Sequence, residues 1–253
     1  MQEDPARKLS AVIHRLREIP IGAPYSEVAL QRDRKEIEAL IDQFPARAHS
    51  VLGIIATILG NEEVMRRHFE AAREIEPDST YIRINYIVGL QGFGCFSEAL
   101  LEIRDACKDH SKDPDLLGEA VFASVHAGRF QEAEKWLQAR ERVAPNAEPL
   151  VGMEGIVACC RFLREKRISD QEVESLQLQV AALLRENHIL GPVIEYDLRE
   201  DEVDRWLSFR FRLRQSVEEV VRLEWLLADR LADSDISPNA LLNLVAGFLS
   251  GER

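Results

Sequence analysis

The spacing of apolar and polar positions is helical along most of the chain. Apolar residues at three- and four-residue intervals predict a helix over residues 5–19 and a second helix from Ser26 to about Phe44. A connector rich in proline and glycine, at 20–24, separates the two. We expect this N-terminal segment, residues 1–45, to form an irregular helical cap on the part of the chain that follows.

The middle of the chain repeats with a period of 34 residues. Gly60, Gly94 and Gly128 are spaced by this interval, and around each of them the pattern indicates helix, turn and helix. The first helix is strongly apolar and ends near the glycine, which can take the left-handed backbone that closes a helix. One such hairpin cannot cover its own apolar face, so neighbouring hairpins must stack. The three aligned units are 46–79, 80–113 and 114–147.

The third unit carries the clearest set of repeat positions. A turn glycine, an aromatic residue, a small residue, a large apolar residue and a terminal proline follow one another; they are Gly128, Phe130, Ala133, Leu137 and Pro145. This order resembles the tetratricopeptide repeat (TPR) family, and the resemblance covers residues 46–147. The early tryptophan usual in that family is absent from all three units, and the second unit lacks the proline. The resemblance implies a mainly α fold, an α-solenoid of stacked helical hairpins.

The repeat loses its register after Ala147. A helix is predicted over 150–166, and Ser169 caps a further helix that runs to about Asn187. This second helix begins too late for the repeat interval. We interpret residues 148–188 as a diverged fourth hairpin.

Beyond that segment the period changes from helical to alternating. The alternating apolar positions are Ile194, Tyr196, Leu198, Leu207, Phe209, Phe211 and Leu213. They predict a β-hairpin closed by a polar loop at 200–204; one continuous charged helix is the alternative. The hairpin would place Glu195 and Asp197 on the face that carries two arginines of the second strand. Those arginines are Arg210 and Arg212.

Helices return in the last part of the chain. Ser216 and Glu219 have the spacing of a capping box, which predicts a helix over 217–233. A last helix over 238–249 is apolar on most of its surface, so we expect it to pack on the preceding helix or to mediate self-association. The hairpin and these two helices make up the C-terminal segment, residues 189–253.

Composition narrows the class of protein. The chain of 253 residues has 44 acidic and 32 basic side chains, a net charge of −12, and 46% hydrophobic residues. The hydrophobic fraction is that of a globular protein, and the acidic balance argues against coating nucleic acid or anionic lipid. The longest apolar run, 51–60, is too short for a membrane helix, and the first ten residues lack a secretory signal pattern. We therefore expect a cytoplasmic protein that binds neither nucleic acid nor membrane.

The sequence offers no motif for catalysis, phosphate binding or metal ligation. It has no nucleophile elbow, zinc-protease motif, phosphate loop or dinucleotide fingerprint in a strand–helix context. The six histidines are scattered, and the four cysteines show no C-x-x-C spacing. We therefore predict no enzymatic activity, no cofactor and no metal site; an active site dispersed along the sequence is the alternative.

The resemblance also implies where a partner binds. TPR proteins bind partners in the concave groove formed by the first helix of each repeat. Carried over position by position, the main groove residues are Arg47, Ser50, Ile54, Tyr81, Asn85, Val88, Asp115, Glu119, Phe122 and His126, with Thr57, Ile84, Gln91, Gly118 and Val125 beside them. In the family branch that clamps the C-terminal carboxylate of chaperones, only Asn85 matches. Asp115 and Glu119 replace the basic residues of that branch, so the groove suits an apolar segment with a basic portion.

We therefore predict a non-enzymatic adaptor, a TPR-like module that binds a partner protein or peptide in this groove. Two alternatives stay open. The acidic balance also suits an immunity or antitoxin protein that neutralises a basic toxin such as a nuclease. The hairpin at 193–214 suits a regulator that uses it for binding or dimerisation, in which case the chain forms a homo-oligomer.

Overall fold

The computed structural model describes residues 5–17, 19 and 25–251, and within them the chain is mainly α-helical with one three-stranded sheet. The helices are α1 (Pro5–Arg17), α2 (Glu27–Glu38), α3 (Pro45–Ile58), α4 (Glu62–Ile75), α5 (Thr80–Gly92), α6 (Phe96–Asp109), α7 (Pro114–His126), α8 (Phe130–Val143), α9 (Met153–Glu165), α10 (Asp170–Glu186), α11 (Val217–Ala232) and α12 (Pro238–Asn243). The strands are β1 (Val193–Glu200), β2 (Arg205–Leu213) and β3 (Leu244–Ser250). The predicted connector at 20–24 lies outside the described residues. The mainly helical class is confirmed.

The same turn closes α3, α5 and α7. It contains Gly60, Gly94 and Gly128, whose φ angles are +72°, +71° and +76°. In each turn the glycine N–H donates to the carbonyl three residues earlier, and the next N–H donates to a carbonyl five residues earlier. This pair of bonds is the Schellman motif, which satisfies carbonyls left free at a helix end. The prediction that these glycines end helices in the left-handed conformation is confirmed.

Two further helices end in this motif without a glycine. Arg167 follows α9 and His188 follows α10, with φ angles of 56° and 54°. Each makes the same two backbone hydrogen bonds as the glycine turns. A side chain in the left-handed region strains the backbone by about 1 kcal/mol. These two turns are therefore less stable than their backbone hydrogen bonds alone would make them.

Replacing Arg167 with glycine is expected to raise the free energy of unfolding by about 0.5 kcal/mol, because the relief of strain exceeds the added entropy of the unfolded chain. The Arg167 side chain is exposed, so little packing is lost. Urea unfolding measures the change. Lys166→Gly is the control, because Lys166 has an ordinary φ of −83° and its replacement should lower stability. A loss of stability in both variants would contradict the strain at Arg167.

Neighbouring helices of the middle segment pack in an ordered series. α3 packs on α4, α5 on α6 and α7 on α8, while α3 contacts α5 and α5 contacts α7. A Cβ added at Gly53 would lie 2.7 Å from the ring of Phe69, so this glycine allows α3 and α4 to touch. At the N-terminal end, Leu9, Val12 and Leu16 of α1 join an apolar cluster with α2 and α3. The first helices α3, α5 and α7 thus form a row that α1 and α2 bound at one end.

Two helices are shorter than the sequence predicts. α2 ends at Glu38 rather than near Phe44, and Phe44 has a non-helical φ of −137°. It precedes Pro45, and proline disfavours a helical backbone in the residue before it. α9 begins at Met153 rather than at 150, because Gly152 is left-handed with a φ of +81°. The non-helical backbone of Phe44 and the late start of α9 both follow from local backbone chemistry that the apolar pattern does not report.

The strands β1 and β2 form the predicted hairpin. They pair antiparallel with Glu195 opposite Arg210, and residues 201–204 form the loop. Arg212 Nη2 lies 2.7 Å from Glu195 Oε1, and Arg210 Nη2 lies 3.4 Å from Asp197 Oδ2. The predicted register, with acids and arginines on one face, is confirmed.

Residues 244–250 form a strand, so the prediction of a helix over 238–249 is wrong beyond Asn243. β3 pairs parallel with β2, on the edge opposite β1. Periodicity does not separate a short apolar run in a helix from one in a strand. The free edge of β2 favours a strand at residues 244–250, because the N–H and C=O groups of that edge would otherwise lack partners. Gly247 suits this strand, since a Cβ there would lie 2.9 Å from Glu224 Oε1 of α11.

The helix α10 and the residues after it run past the three glycine turns. The nearest neighbours of a Cβ added at Gly128, Gly94 and Gly60 are Glu174 N at 2.7 Å, Arg185 Cγ at 3.7 Å and Leu190 Cδ1 at 2.7 Å, respectively. The turn of the third hairpin therefore contacts the first part of α10, the turn of the second hairpin contacts its last part, and the turn of the first hairpin contacts the residues after it. α9 packs on α8 and β1, whereas α10 packs on α11, α8 and β3. The two helices of the segment 148–188 thus share α8 as a neighbour, while α9 also contacts β1 and α10 also contacts α11 and β3.

Candidate functional site

The candidate site is the face of α3, α5 and α7, and the exposure of the predicted groove residues divides them into three groups. The exposed ones are Arg47, Val88 and Asp115. The partly buried ones are Ile54, Tyr81, Ile84, Asn85, Gln91, Glu119, Phe122 and His126. The buried ones are Ser50, Thr57, Gly118 and Val125. A buried residue does not reach a partner without rearrangement of the fold, so these four form the packing behind the face, and a groove that they line stays a prediction.

A hydrogen bond between Ser50 and Asn85 joins α3 to α5. The Nδ2 atom of Asn85 donates to Oγ of Ser50 at 3.3 Å, and Ser50 is 0% exposed. The burial of Ser50 follows from the close contact of the two helices. Asn85, the one match to the carboxylate clamp of the TPR branch, is therefore engaged within the fold, where it fixes the spacing of two neighbouring helices.

Gln91 of α5 bridges two side chains of α7. Its Nε2 atom donates to Glu119 Oε1 at 2.8 Å, and its Oε1 atom lies 3.2 Å from Nδ1 of His126. An amide oxygen only accepts, so the Nδ1 atom of His126 carries the proton in this contact. The sequence places these residues on facing helices one repeat apart, but the hydrogen bonds themselves follow only from the structure.

Burial shifts the protonation of both α7 residues in this bridge. It raises the pKa of Glu119 to about 7, and the hydrogen bond from Gln91 opposes that rise only in part. It lowers the pKa of His126 to about 4. At neutral pH His126 is therefore uncharged, and Glu119 carries only part of a charge. The expectation that Glu119 attracts a basic partner is weakened, and Asp115 is the exposed acid that remains.

Arg47 and Tyr81 line a cavity at the end of the face that lies near α1. The cavity has a volume of about 370 Å³, and Ser10, Ile13 and His14 of α1 form another of its walls. α1 therefore covers part of the surface that the repeat pattern predicts as open groove. A partner on this face would meet Arg47 at the border of α1.

Val88 is the apolar residue most open to a partner in the middle of the face. It is 38% exposed, whereas Ile54 is partly buried and packs against two apolar clusters at once. The face therefore offers one exposed apolar side chain, Val88, with the cation of Arg47 at one end and the anion of Asp115 at the other. This arrangement is suited to binding a chain segment of mixed apolar and charged character.

The cysteines, the acidic clusters and the helix lengths of the described part of the chain complete the description of the candidate site. No group of three or more His, Cys, Asp or Glu side chains within it is arranged to hold a metal ion. The four cysteines are buried and free. No helix in the described ranges has the length and apolar character needed to cross a membrane. Comparisons with models of protein families, with curated proteins and with solved structures give no match to this chain.

Proposed function

We propose that this chain is a non-enzymatic adaptor of TPR-like architecture, which binds a partner protein or peptide on the face of α3, α5 and α7. The observation that carries the proposal is the identical turn at Gly60, Gly94 and Gly128, together with the contacts of α5 with α3 and α7. Three equivalent hairpins whose first helices form a row support an α-solenoid with one shared binding face.

The mechanism of binding is preorganised complementarity. Hydrogen bonds between neighbouring helices, at Asn85 and at Gln91, hold the face in one arrangement before a partner arrives. Less conformational entropy is then lost on binding. The exposed apolar surface at Val88 would contact an apolar segment, and the carboxylate of Asp115 would attract a basic portion of the same partner.

Site-specific photo-crosslinking in the native cell tests the proposal. A photoreactive amino acid at Val88 is expected to crosslink one partner protein, whereas the same group at Leu101 is not. Leu101 is the matched control, because it is more exposed than Val88, 62% against 38%, and lies on α6, the second helix of the same hairpin. The identity of the crosslinked partner also separates an adaptor from an antitoxin that holds a basic nuclease.

Charge reversal at Asp115 is expected to reduce the crosslink yield at Val88 about tenfold, which corresponds to about 1.4 kcal/mol of binding free energy. Asp115 lies in the first turn of α7, so Asp115→Lys also loses a favourable interaction with the helix dipole. Glu63→Lys, in the first turn of α4, loses the same interaction outside the face and is the control. Equal yields for the two variants, or equal crosslinking from Val88 and Leu101, would contradict the proposed face.

A further inference from the structure

A cavity of about 490 Å³ lies between the start of α6 and the length of α10, away from the face of α3, α5 and α7. Its apolar wall consists of Phe96, Ala127, Leu178, Ala181 and Ala182. Its polar lining includes Ser97, Glu98, Gln177 and Arg185. Its volume falls within the usual range for a site that binds a small molecule.

Gln177 of α10 is a buried amide without a partner. It is 2% exposed, and neither its Oε1 nor its Nε2 atom hydrogen bonds to any residue that the structure describes. Burying an amide in this way is unfavourable, because the lost hydrogen bonds to water are not replaced. Gln177 lines the cavity, so a ligand there would supply the missing partner.

The N-terminus of α6 is the second polar feature of the cavity. Cys95 occupies the N-cap position and makes no side-chain cap hydrogen bond. The equivalent ends of the two neighbouring hairpins are both capped by a side-chain oxygen. In α4, Asn61 Oδ1 accepts from the N–H of Val64.

In α8 the cap comes from α10. The carboxylate of Asp170 accepts from the N–H groups of Gln131 and Glu132, at 3.0 and 3.2 Å. The residues one repeat earlier are Ser97 and Glu98, and both line the cavity. The carboxylate that caps α8 therefore indicates the kind of group that would cap the first turn of α6.

The charges around the cavity are balanced in pairs, so they do not exclude an anion. Arg185 is the cation of the lining; it contacts the sulfur of Cys95, and its Nη2 atom lies 3.4 Å from Glu62 Oε2. The three acids of the lining are each paired with an arginine: Glu98 with Arg66, Glu174 with Arg129 and Glu186 with Arg230. Burial raises the pKa of Cys95 to about 11, so its thiol stays neutral. No unpaired acid of the lining opposes a negatively charged ligand.

We propose that this cavity binds a small organic carboxylate. Its carboxylate accepts hydrogen bonds from the first-turn N–H groups of α6 and from the amide of Gln177, beside the guanidinium of Arg185, which is also paired with Glu62. Its apolar body lies against the alanines and Leu178 of α10. Because α10 also passes the turns at Gly60 and Gly128, a ligand held there would stabilise the packing of α10 on the hairpins.

Binding is tested on the full chain with hexanoate, phenylacetate and benzoate, each compared with its neutral amide, by saturation-transfer NMR and titration calorimetry. We expect at least one carboxylate to bind at least tenfold more tightly than its amide. Gln177→Leu should weaken that binding at least tenfold. Gln171→Leu is the matched control, because Gln171 is an exposed glutamine of the same helix, and it should leave binding unchanged.

The melting temperature of the same variants separates a glutamine that binds a ligand from one that only stabilises the fold. Gln177→Leu is expected to raise the melting temperature of the free protein, since it removes an unsatisfied amide, while it weakens carboxylate binding. Ala182→Phe, at a partly exposed position of the lining, should fill the cavity and abolish binding in a folded protein. Failure of all three carboxylates to bind, equal affinity for acid and amide, or unchanged binding by Gln177→Leu and Ala182→Phe would overturn the proposal. A lower melting temperature of Gln177→Leu would do the same.

Discussion

Alanine at position 128 is expected to lower the free energy of unfolding by about 3 kcal/mol, whereas alanine at position 94 should lower it by about 1 kcal/mol. Gly128 and Gly94 close the same turn with nearly the same φ, +76° and +71°. The strain of a left-handed alanine is therefore common to both variants. What differs between them is the space around the added Cβ.

The additional loss at Gly128 comes from α10. In the Gly128→Ala variant the new Cβ would lie 2.7 Å from the N atom of Glu174 and 2.8 Å from the carbonyl carbon of Val173. These are backbone atoms, which cannot rotate away, so α10 has to shift and lose packing. At Gly94 the nearest atom is Cγ of Arg185 at 3.7 Å, an ordinary contact. The difference between the two variants therefore measures how closely α10 lies against the third hairpin.

Urea unfolding of the two variants checks this prediction. Gly60→Ala extends the series, because its Cβ would lie 2.7 Å from Cδ1 of Leu190, a side-chain atom that can move. We expect its loss to fall between the other two. Equal losses at positions 128 and 94 would mean that α10 does not lie against the turn of Gly128.

The features that the sequence predicts well are those set by local chemistry. A glycine is needed where the backbone turns left-handed, so the spacing of the three turn glycines is enough to mark the ends of α3, α5 and α7. The register of β1 and β2 follows from alternating apolar residues and from opposite charges such as Glu195 and Arg210, which lie on two strands joined by one short loop.

The features that the sequence does not predict depend on contacts between distant parts of the chain. β3 is a strand because β2, about thirty residues earlier, has a free edge. α10 and the residues after it pass the turns of three hairpins. The ion pair of Arg129 with Glu174 that anchors α10 has no counterpart in the 34-residue interval. At the candidate face, the repeat places Ser50 on the correct helix but does not show that α5 covers it. The Gln91 bridge and the Gln177 cavity likewise depend on how separate helices pack.

The pH dependence of stability is expected to reveal two opposite contributions from the candidate face. In the folded protein the pKa of Glu119 is raised from 4.5 to about 7, and the pKa of His126 is lowered from 6.5 to about 4, both by burial. A raised pKa contributes stability that is present below pH 4.5 and is lost as the pH rises to about 7. A lowered pKa contributes stability that is present above pH 6.5 and is lost as the pH falls to about 4. In the wild type the two slopes oppose each other between these limits.

Each substitution should therefore remove one of the two contributions, so that its difference from the wild type reports the residue that was replaced. Relative to the wild type, Glu119→Gln is expected to gain stability as the pH rises from about 4.5 to about 7, by about 3 kcal/mol. His126→Gln should show the opposite difference, with its stability relative to the wild type falling by about 3 kcal/mol between about pH 4 and about pH 6.5. Both replacements keep an amide that can hydrogen bond to Gln91, so the bridge loses its ionisable groups without losing its shape.

Urea unfolding at pH steps from about 4 to about 8 measures both difference curves. Subtracting the wild-type curve removes the titration of all other groups, provided that they are too far away to respond to the substitution. The double variant is the control, since its difference curve should equal the sum of the two single curves unless Glu119 and His126 interact through Gln91. Flat curves for both single variants would mean that water reaches Glu119 and His126. The face of α5 and α7 would then be more open than its burial indicates, and Glu119 would carry the full charge that a basic partner requires.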